Sequence, residues 1–120
     1  MINITQSAAI DAYYAFEDIY KQKMKPEIAL DIFRLRQHLK KQYEFQIERE
    51  RQIIEDYCGQ RNAEGNIVFP DEEKYNGAQA ELKELADSII SVDAKPINLL
   101  KENILISPEN INQIIPFIIL

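Results

Sequence analysis

The sequence predicts an α+β fold that is predominantly α: a long antiparallel helical hairpin with additional N- and C-terminal helices and a small two- or three-stranded sheet. Three observations predict it. A helix-period stripe of apolar residues runs from Pro26 to Cys58 and is answered by a shorter one from Asp71 to Ile90. Only 3 Gly occur in 120 residues, which favours long uninterrupted elements over a fold rich in strands and turns. Short alternating apolar segments lie outside the hairpin. At this length the chain reads as a single domain, 1–120, able to bury roughly two-thirds of its unfolded surface.

In chain order, Ile2 and Ile4 alternate with polar neighbours, as in a half-buried strand. Thr5 and Ser7 offer N-cap oxygens for a first helix from Gln6 or Ala8 to Lys23. Its apolar positions include Ile10, Tyr13, Tyr14, Phe16, Ile19 and Tyr20, more than one narrow stripe. The three Tyr mark a face that stays partly wet, because each hydroxyl needs a partner or water. Lys25-Pro26 closes this helix, since a residue before Pro is steered away from α geometry.

Pro26 suits the first turn of the next helix. Ile28, Ile32, Leu35, Leu39, Tyr43, Ile47, Ile54 and Tyr57 then recur mostly at three- and four-residue steps. Unbroken, residues 26–58 would form a rod of roughly 50 Å. That exceeds the core of a chain this size, so one end is expected to project or to pack on another chain. Lys40 with Glu44 and Arg51 with Glu55 stand at ion-pair spacing. Whether the helix continues past Gln42 is open at this level. Gly59 is placed to end it in a left-handed C′ conformation.

Asn62 to Asn66 carries a turn signal, and Ile67-Val68-Phe69 forms either the hairpin tip or a small strand. Asp71 caps the third helix, with Glu72 and Glu73 near its positive end. Tyr75, Ala78, Leu82, Leu85 and Ile89 make a heptad seam, interrupted by Gly77, which costs about 1 kcal/mol relative to Ala unless a neighbour needs the room. Ile90 and Val92 read as a second strand and Ile104 to Ile106 as a possible third. Ile97, Leu99 and Leu100 add buried surface. Ser107-Pro108-Glu109 starts a last helix that runs to about Ile115.

The composition, 46% apolar and 28% charged, is that of an ordinary soluble domain. Cys58 is the only cysteine, which excludes an intramolecular disulfide framework. The opening Met1 to Thr5 lacks a basic segment followed by an apolar one, so no secretory signal is expected. The apolar run Ile114 to Leu120 is too short to cross a bilayer. A cytoplasmic protein with no membrane association is the plain expectation. The net charge of −6 is uneven: residues 21–51 carry 9 Lys/Arg against 5 Asp/Glu, and residues 52–120 carry 5 against 12. The basic segment includes Arg34, Arg36, Lys40 and Lys41, but Glu44, Glu48 and Glu50 dilute it and clustered aromatics are missing, so nucleic acid is disfavoured as a partner.

No chemistry-bearing motif emerges. His38 is the only histidine, on a helix rich in Arg and Lys, and reads as a solvated residue rather than a zinc ligand. Cys58 lies twenty residues from it along the same helix, roughly 30 Å, too far for a nucleophile and its base. Residues 62–73 have the length of an EF-hand loop, yet Ile67 occupies its sixth position where Gly is required. Phosphate-loop and nucleophile-elbow patterns do not occur. The expectation is a protein that is not an enzyme, with no catalytic residues, cofactor or metal.

The order of elements carries a resemblance. An Ile-x-Ile strand opens the chain, and a helix bears Arg34-Leu35-Arg36-Gln37-His38-Leu39 and Glu48-Arg49-Glu50-Arg51. Tyr57, the Glu64-Gly65-Asn66 turn, a Leu82 to Leu85 helix, an Ile90 to Val92 strand and Ile106-Ser107-Pro108 follow. This pattern resembles a family of small uncharacterised proteins of phages and prophages of Gram-positive bacteria. The resemblance implies a phage or mobile-element setting within the bacterial host cell, an α-dominated fold with a small sheet, and non-enzymatic work.

The function expected is therefore protein–protein contact: an assembly or chaperone-like factor, or a minor structural component, with a phage or host protein as partner and homo-oligomerisation possible. The contact residues expected are Tyr43, Phe45, Ile53, Ile67, Val68 and Phe69 on exposed parts of the hairpin. The main alternative is an inhibitor of a host defence protein using an acidic surface of Glu72, Glu73, Glu81, Glu84 and Asp87. A nucleic-acid-binding accessory protein is the second alternative.

Overall fold

The computed structural model describes residues 1–99 and 102–119; Leu100 and Leu120, assigned above to buried and apolar segments, lie outside the described residues. Strand β1 (Ile2–Thr5) leads directly into helix α1 (Gln6–Tyr20), followed by the long helix α2 (Pro26–Asp56). A hairpin of β2 (Gln60–Arg61) and β3 (Ile67–Val68) connects to α3 (Glu72–Asp87), which runs into β4 (Ile89–Val92). The chain ends with β5 (Ile97–Asn98), α4 (Pro108–Ile114), a 3-10 turn (Ile115–Phe117) and β6 (Ile118–Ile119). The fold is mainly α with small two-stranded sheets, as the periodicities predict. No described helix is long and apolar enough to cross a membrane.

The helix starts are set by local hydrogen bonding. The Thr5 hydroxyl accepts from Ala8 N at 3.1 Å, the Asp71 carboxylate from Lys74 N at 2.8 Å and the Ser107 hydroxyl from Asn110 N at 3.2 Å. Each satisfies one of the amides that a helix leaves free in its first turn. The α2 start has no side-chain cap and uses Pro26 instead, whose missing N–H removes one of those amides. Helix α2 then continues unbroken for 31 residues, through the crowded region around Gln42.

The core is centred on α1 against the first half of α2 rather than on the α2–α3 hairpin. Ala9, Ala12 and Ala15 are buried with Phe16 and Ile19, and small side chains at these steps let the two helices approach closely. Ile32, Leu35 and Leu39 answer from α2, and the Phe16 ring meets Phe117 edge-on at 6.1 Å, which ties the C-terminal turn into the same cluster. Gln6 is buried, and its Nε2 donates to the Gln42 carbonyl at 2.9 Å, tying the start of α1 to mid-α2.

Strands β1 and β4 pair antiparallel, Ile2 opposite Val92 and Ile4 opposite Ile90. Residues 104–106 do not join them. Their backbone is met by a side chain: the Gln22 amide donates to the Leu105 carbonyl at 2.7 Å and accepts from Leu105 N at 2.8 Å, standing in for a strand partner. Parallel pairing instead joins β5 to β6, Ile97 opposite Ile118.

The far end of α2 closes differently from the sequence expectation. Cys58, not Gly59, adopts the left-handed conformation, with φ 59°. Gly59 N donates to the Ile54 carbonyl at 2.8 Å and Cys58 N to the Glu55 carbonyl at 3.0 Å, the pair of bonds of a Schellman motif. Gly59 is required for space: a Cβ there would lie 2.6 Å from Ile54 Cγ2 and 2.9 Å from Phe69 Cε1. In the β2–β3 turn, Gly65 takes φ 84°, and the Asn62 carboxamide oxygen accepts from Glu64 N and Asn66 N. Along the α3 seam Ala78 is buried and Leu82 and Leu85 half-buried, while Tyr75 and Ile89 at its ends are exposed.

The molecule measures 54 × 31 × 22 Å, with a radius of gyration of 17.3 Å. A compact chain of this length would have a radius near 14 Å, about 2.2·N^0.38. The α2–α3 arm with its β hairpin accounts for the elongation.

Candidate functional site

The most organised exposed feature is a band of aromatic rings along the groove between α1 and α2. The Tyr13 and Tyr43 rings stack at 5.1 Å, and Tyr14 meets Tyr43 edge-on at 5.5 Å. The Arg36 guanidinium lies 5.4 Å from the ring centres of both Tyr13 and Tyr20. Tyr20 in turn contacts Phe33 at 6.3 Å. Tyr13, Tyr14 and Tyr20 stand on α1 and Phe33, Arg36 and Tyr43 on α2, so only the α1–α2 packing makes them continuous.

The band is built and partly wet. Tyr14 is 50% exposed and Phe33 42%. Hydrogen bonding with Tyr43, followed by burial and the neighbouring Tyr and Glu17 charges, pushes the Tyr14 phenol up to about 12. Arg36 is half-buried and its Nε has no hydrogen-bond partner among the described residues, so the two ring faces are its main interaction there. Elsewhere on α2, Leu30, Phe45 and Ile47 are exposed apolar residues.

The expected contact residues divide. Tyr43 is half-buried inside the aromatic band, and Phe45, Ile67 and Val68 are exposed, with Phe69 partly covered by Tyr75 at 5.9 Å. Ile53 is only 1% exposed, because it faces α3 at the middle of the arm; it belongs to the interior, not the surface. Glu72, Glu73 and Glu84 are exposed along α3, Glu81 is half-buried, and Asp87 is tied to Lys83 at 2.5 Å. Arg51 bridges Glu48 and Glu55 on the α2 surface, whereas Lys40 and Glu44 make no ion pair among the described residues. The continuity of the aromatic band was missed at the sequence level, although the three Tyr of α1 had marked a wet face there.

Three open clefts accompany these surfaces. One of about 420 Å³ lies between α2 and the segment after β4, lined by Asp31, Arg34, Leu35, His38 and Asp93 through Ile97. His38 is exposed at its rim, as its sequence context indicates. The others, of about 340 and 270 Å³, lie in the α2–α3 groove and beside Cys58 at the hairpin. Among the described residues no group of three or more His, Cys, Asp and Glu side chains is placed to hold a metal ion. What the exposed surface offers chemically is apolar burial, ring stacking and ion pairing. No family model, curated protein or solved structure matches the chain.

Proposed function

We propose that this chain is a non-enzymatic contact protein that works by protein–protein association, in the phage or mobile-element setting that its resemblance implies. One observation carries the reading. The accessible surface is 8068 Å², whereas a compact monomer of 14.0 kDa exposes about 6,700 Å² by the usual scaling with mass. The surplus of roughly 1,400 Å² exceeds the ~800 Å² that each partner contributes to a standard interface. Exposed aromatic and aliphatic side chains lie on α1, α2 and the hairpin. Tyr and Phe with an adjacent Arg are the residue types that concentrate binding energy at interfaces.

The test is capture from infected or lysogenic host lysate by the tagged chain, compared with a Tyr14→Glu/Phe33→Glu variant. Recovery of a virion-assembly or host protein by the wild-type chain alone supports the reading; equal recovery by both, or by neither, opposes it. The acidic outer face of α3 supports a second reading, inhibition of a basic host protein, because Glu72, Glu73 and Glu84 are exposed and form no ion pair among the described residues. That association would weaken steeply with salt, while burial of the aromatic band would not.

A further inference from the structure

We propose that the aromatic band seats an acidic segment of a partner protein, with an Asp or Glu carboxylate of that segment received by Arg36. The inference rests on the contact reading above and names the chemistry of the partner. Arg36 stands in the middle of the band. Tyr14 meets Tyr43, Tyr43 stacks on Tyr13, Tyr13 and Tyr20 both contact the guanidinium from two turns apart on α1, and Tyr20 reaches Phe33. A charge at the centre of a patch with exposed rings around it is the arrangement in which interface contacts are best shielded from water.

Arg36 lacks a counter-ion. Among the described residues it makes no ion pair or hydrogen bond, and its Nε is buried without an acceptor. Glu17, which lies between Tyr13 and Tyr20 along α1, is turned to Lys21 at 3.8 Å instead. Arg51, exposed on the same helix, by contrast bridges two acids. Burial takes water from the Arg36 Nε and returns no hydrogen bond, a cost that the ring faces offset in part. A carboxylate set against the guanidinium supplies the missing charge and acceptors, and the rings already hold the planar group in place, so little ordering is lost on binding. A basic segment would lay like charge on Arg36, and a neutral one would cover the cation without compensating it. The net charge of −6 favours basic partners over the surface as a whole, so a preference for acid has to come from a local cation.

Selection from a displayed random-peptide library by the immobilised full chain tests this. The enriched peptides are expected to carry Asp or Glu flanked by aromatic or aliphatic residues. One such peptide, synthesised with the acid replaced by its amide, should bind about tenfold more weakly, the effect of one charge-assisted hydrogen bond. That comparison uses the wild-type chain alone and so does not depend on the folding of any variant. Arg36→Met, which keeps an unbranched stem between the rings, should bind acid and amide peptides equally weakly, whereas Arg36→Lys should keep the preference for acid; far-ultraviolet circular dichroism checks that both fold. Enriched peptides without an acid, or a preference for acid that persists in folded Arg36→Met, overturn the inference. If the acid-free peptides lose binding to the Tyr14→Glu/Phe33→Glu variant, the contact reading stands and only the acidic partner falls. If they keep it, or if the library yields no binder, both fall.

Discussion

Replacing Gly77 by Ala sets two effects of opposite sign against each other. In the interior of α3, Ala is favoured over Gly by about 1 kcal/mol through backbone entropy alone. Against this, a Cβ at position 77 would lie 2.3 Å from Tyr57 Cε1 and 3.0 Å from both Cδ1 and Cζ. Carbon atoms rest at roughly 3.5–4.0 Å, so the ring must retreat by more than 1 Å. Tyr57 is the C-cap of α2, with its N–H bonded to the Ile53 carbonyl at 3.2 Å, immediately before the Cys58–Gly59 turn. Moving its ring therefore disturbs the turn that starts the hairpin. Overpacking of this kind costs about 1–3 kcal/mol, which leaves a net loss of up to about 2 kcal/mol and a fall in Tm of up to several degrees for a domain this size. Thermal and urea unfolding followed by far-ultraviolet circular dichroism would measure it. In a Tyr57→Ala background the same Gly77→Ala change should stabilise by about 1 kcal/mol, because only the propensity term remains. Stabilisation with Tyr57 present would refute the packing of α3 against the end of α2 through this contact.

Other outcomes follow from single contacts. Phe16→Ala, which removes a fully buried ring from the α1–α2–α4 junction, should cost about 3–5 kcal/mol by chemical denaturation. Cys58→Gly should stabilise by up to about 1 kcal/mol in the same assay, since a left-handed non-glycine residue carries roughly that much strain. Ultraviolet titration should find one tyrosine ionising at about 12, and Tyr43→Phe should return it towards 10, because the Tyr14–Tyr43 hydrogen bond is the largest cause of the shift. The sign is that of a group favoured in its protonated form. Its contribution is complete below the unfolded value near 10 and is lost as pH rises through about 12. Gln22→Ala should loosen the 104–106 segment, read as faster amide exchange at Leu105, whose N–H bonds to the Gln22 carboxamide.

What could be read from the chain alone was what short-range physics decides. Thr5, Asp71 and Ser107 cap helices because a side-chain oxygen reaches an amide three residues on, wherever the rest of the chain lies. The three- and four-residue spacing along 26–56 likewise marks one long helix, and the alternation at Ile2, Ile4, Ile90 and Val92 marks the strands that pair. The surplus length of α2 over its neighbours was legible for the same reason.

Only the tertiary structure decided the rest, because it depends on residues far apart in sequence. Ala9, Ala12 and Ala15 look unremarkable as a string, yet they are buried in the core that α1 forms with the first half of α2. Tyr13, Tyr14 and Tyr20 become a continuous band with Phe33, Arg36 and Tyr43 only when the two helices pack. Residues 104–106 have the pattern of a strand, but Gln22 reaches their backbone first. Local glycine chemistry favoured Gly59 for the left-handed turn; the close approach of Ile54 and Phe69 reserves that glycine for space and leaves the turn to Cys58. Elements and their ends are properties of neighbouring residues, while the core, the aromatic band and the buried place of Ile53 are properties of which surfaces find each other.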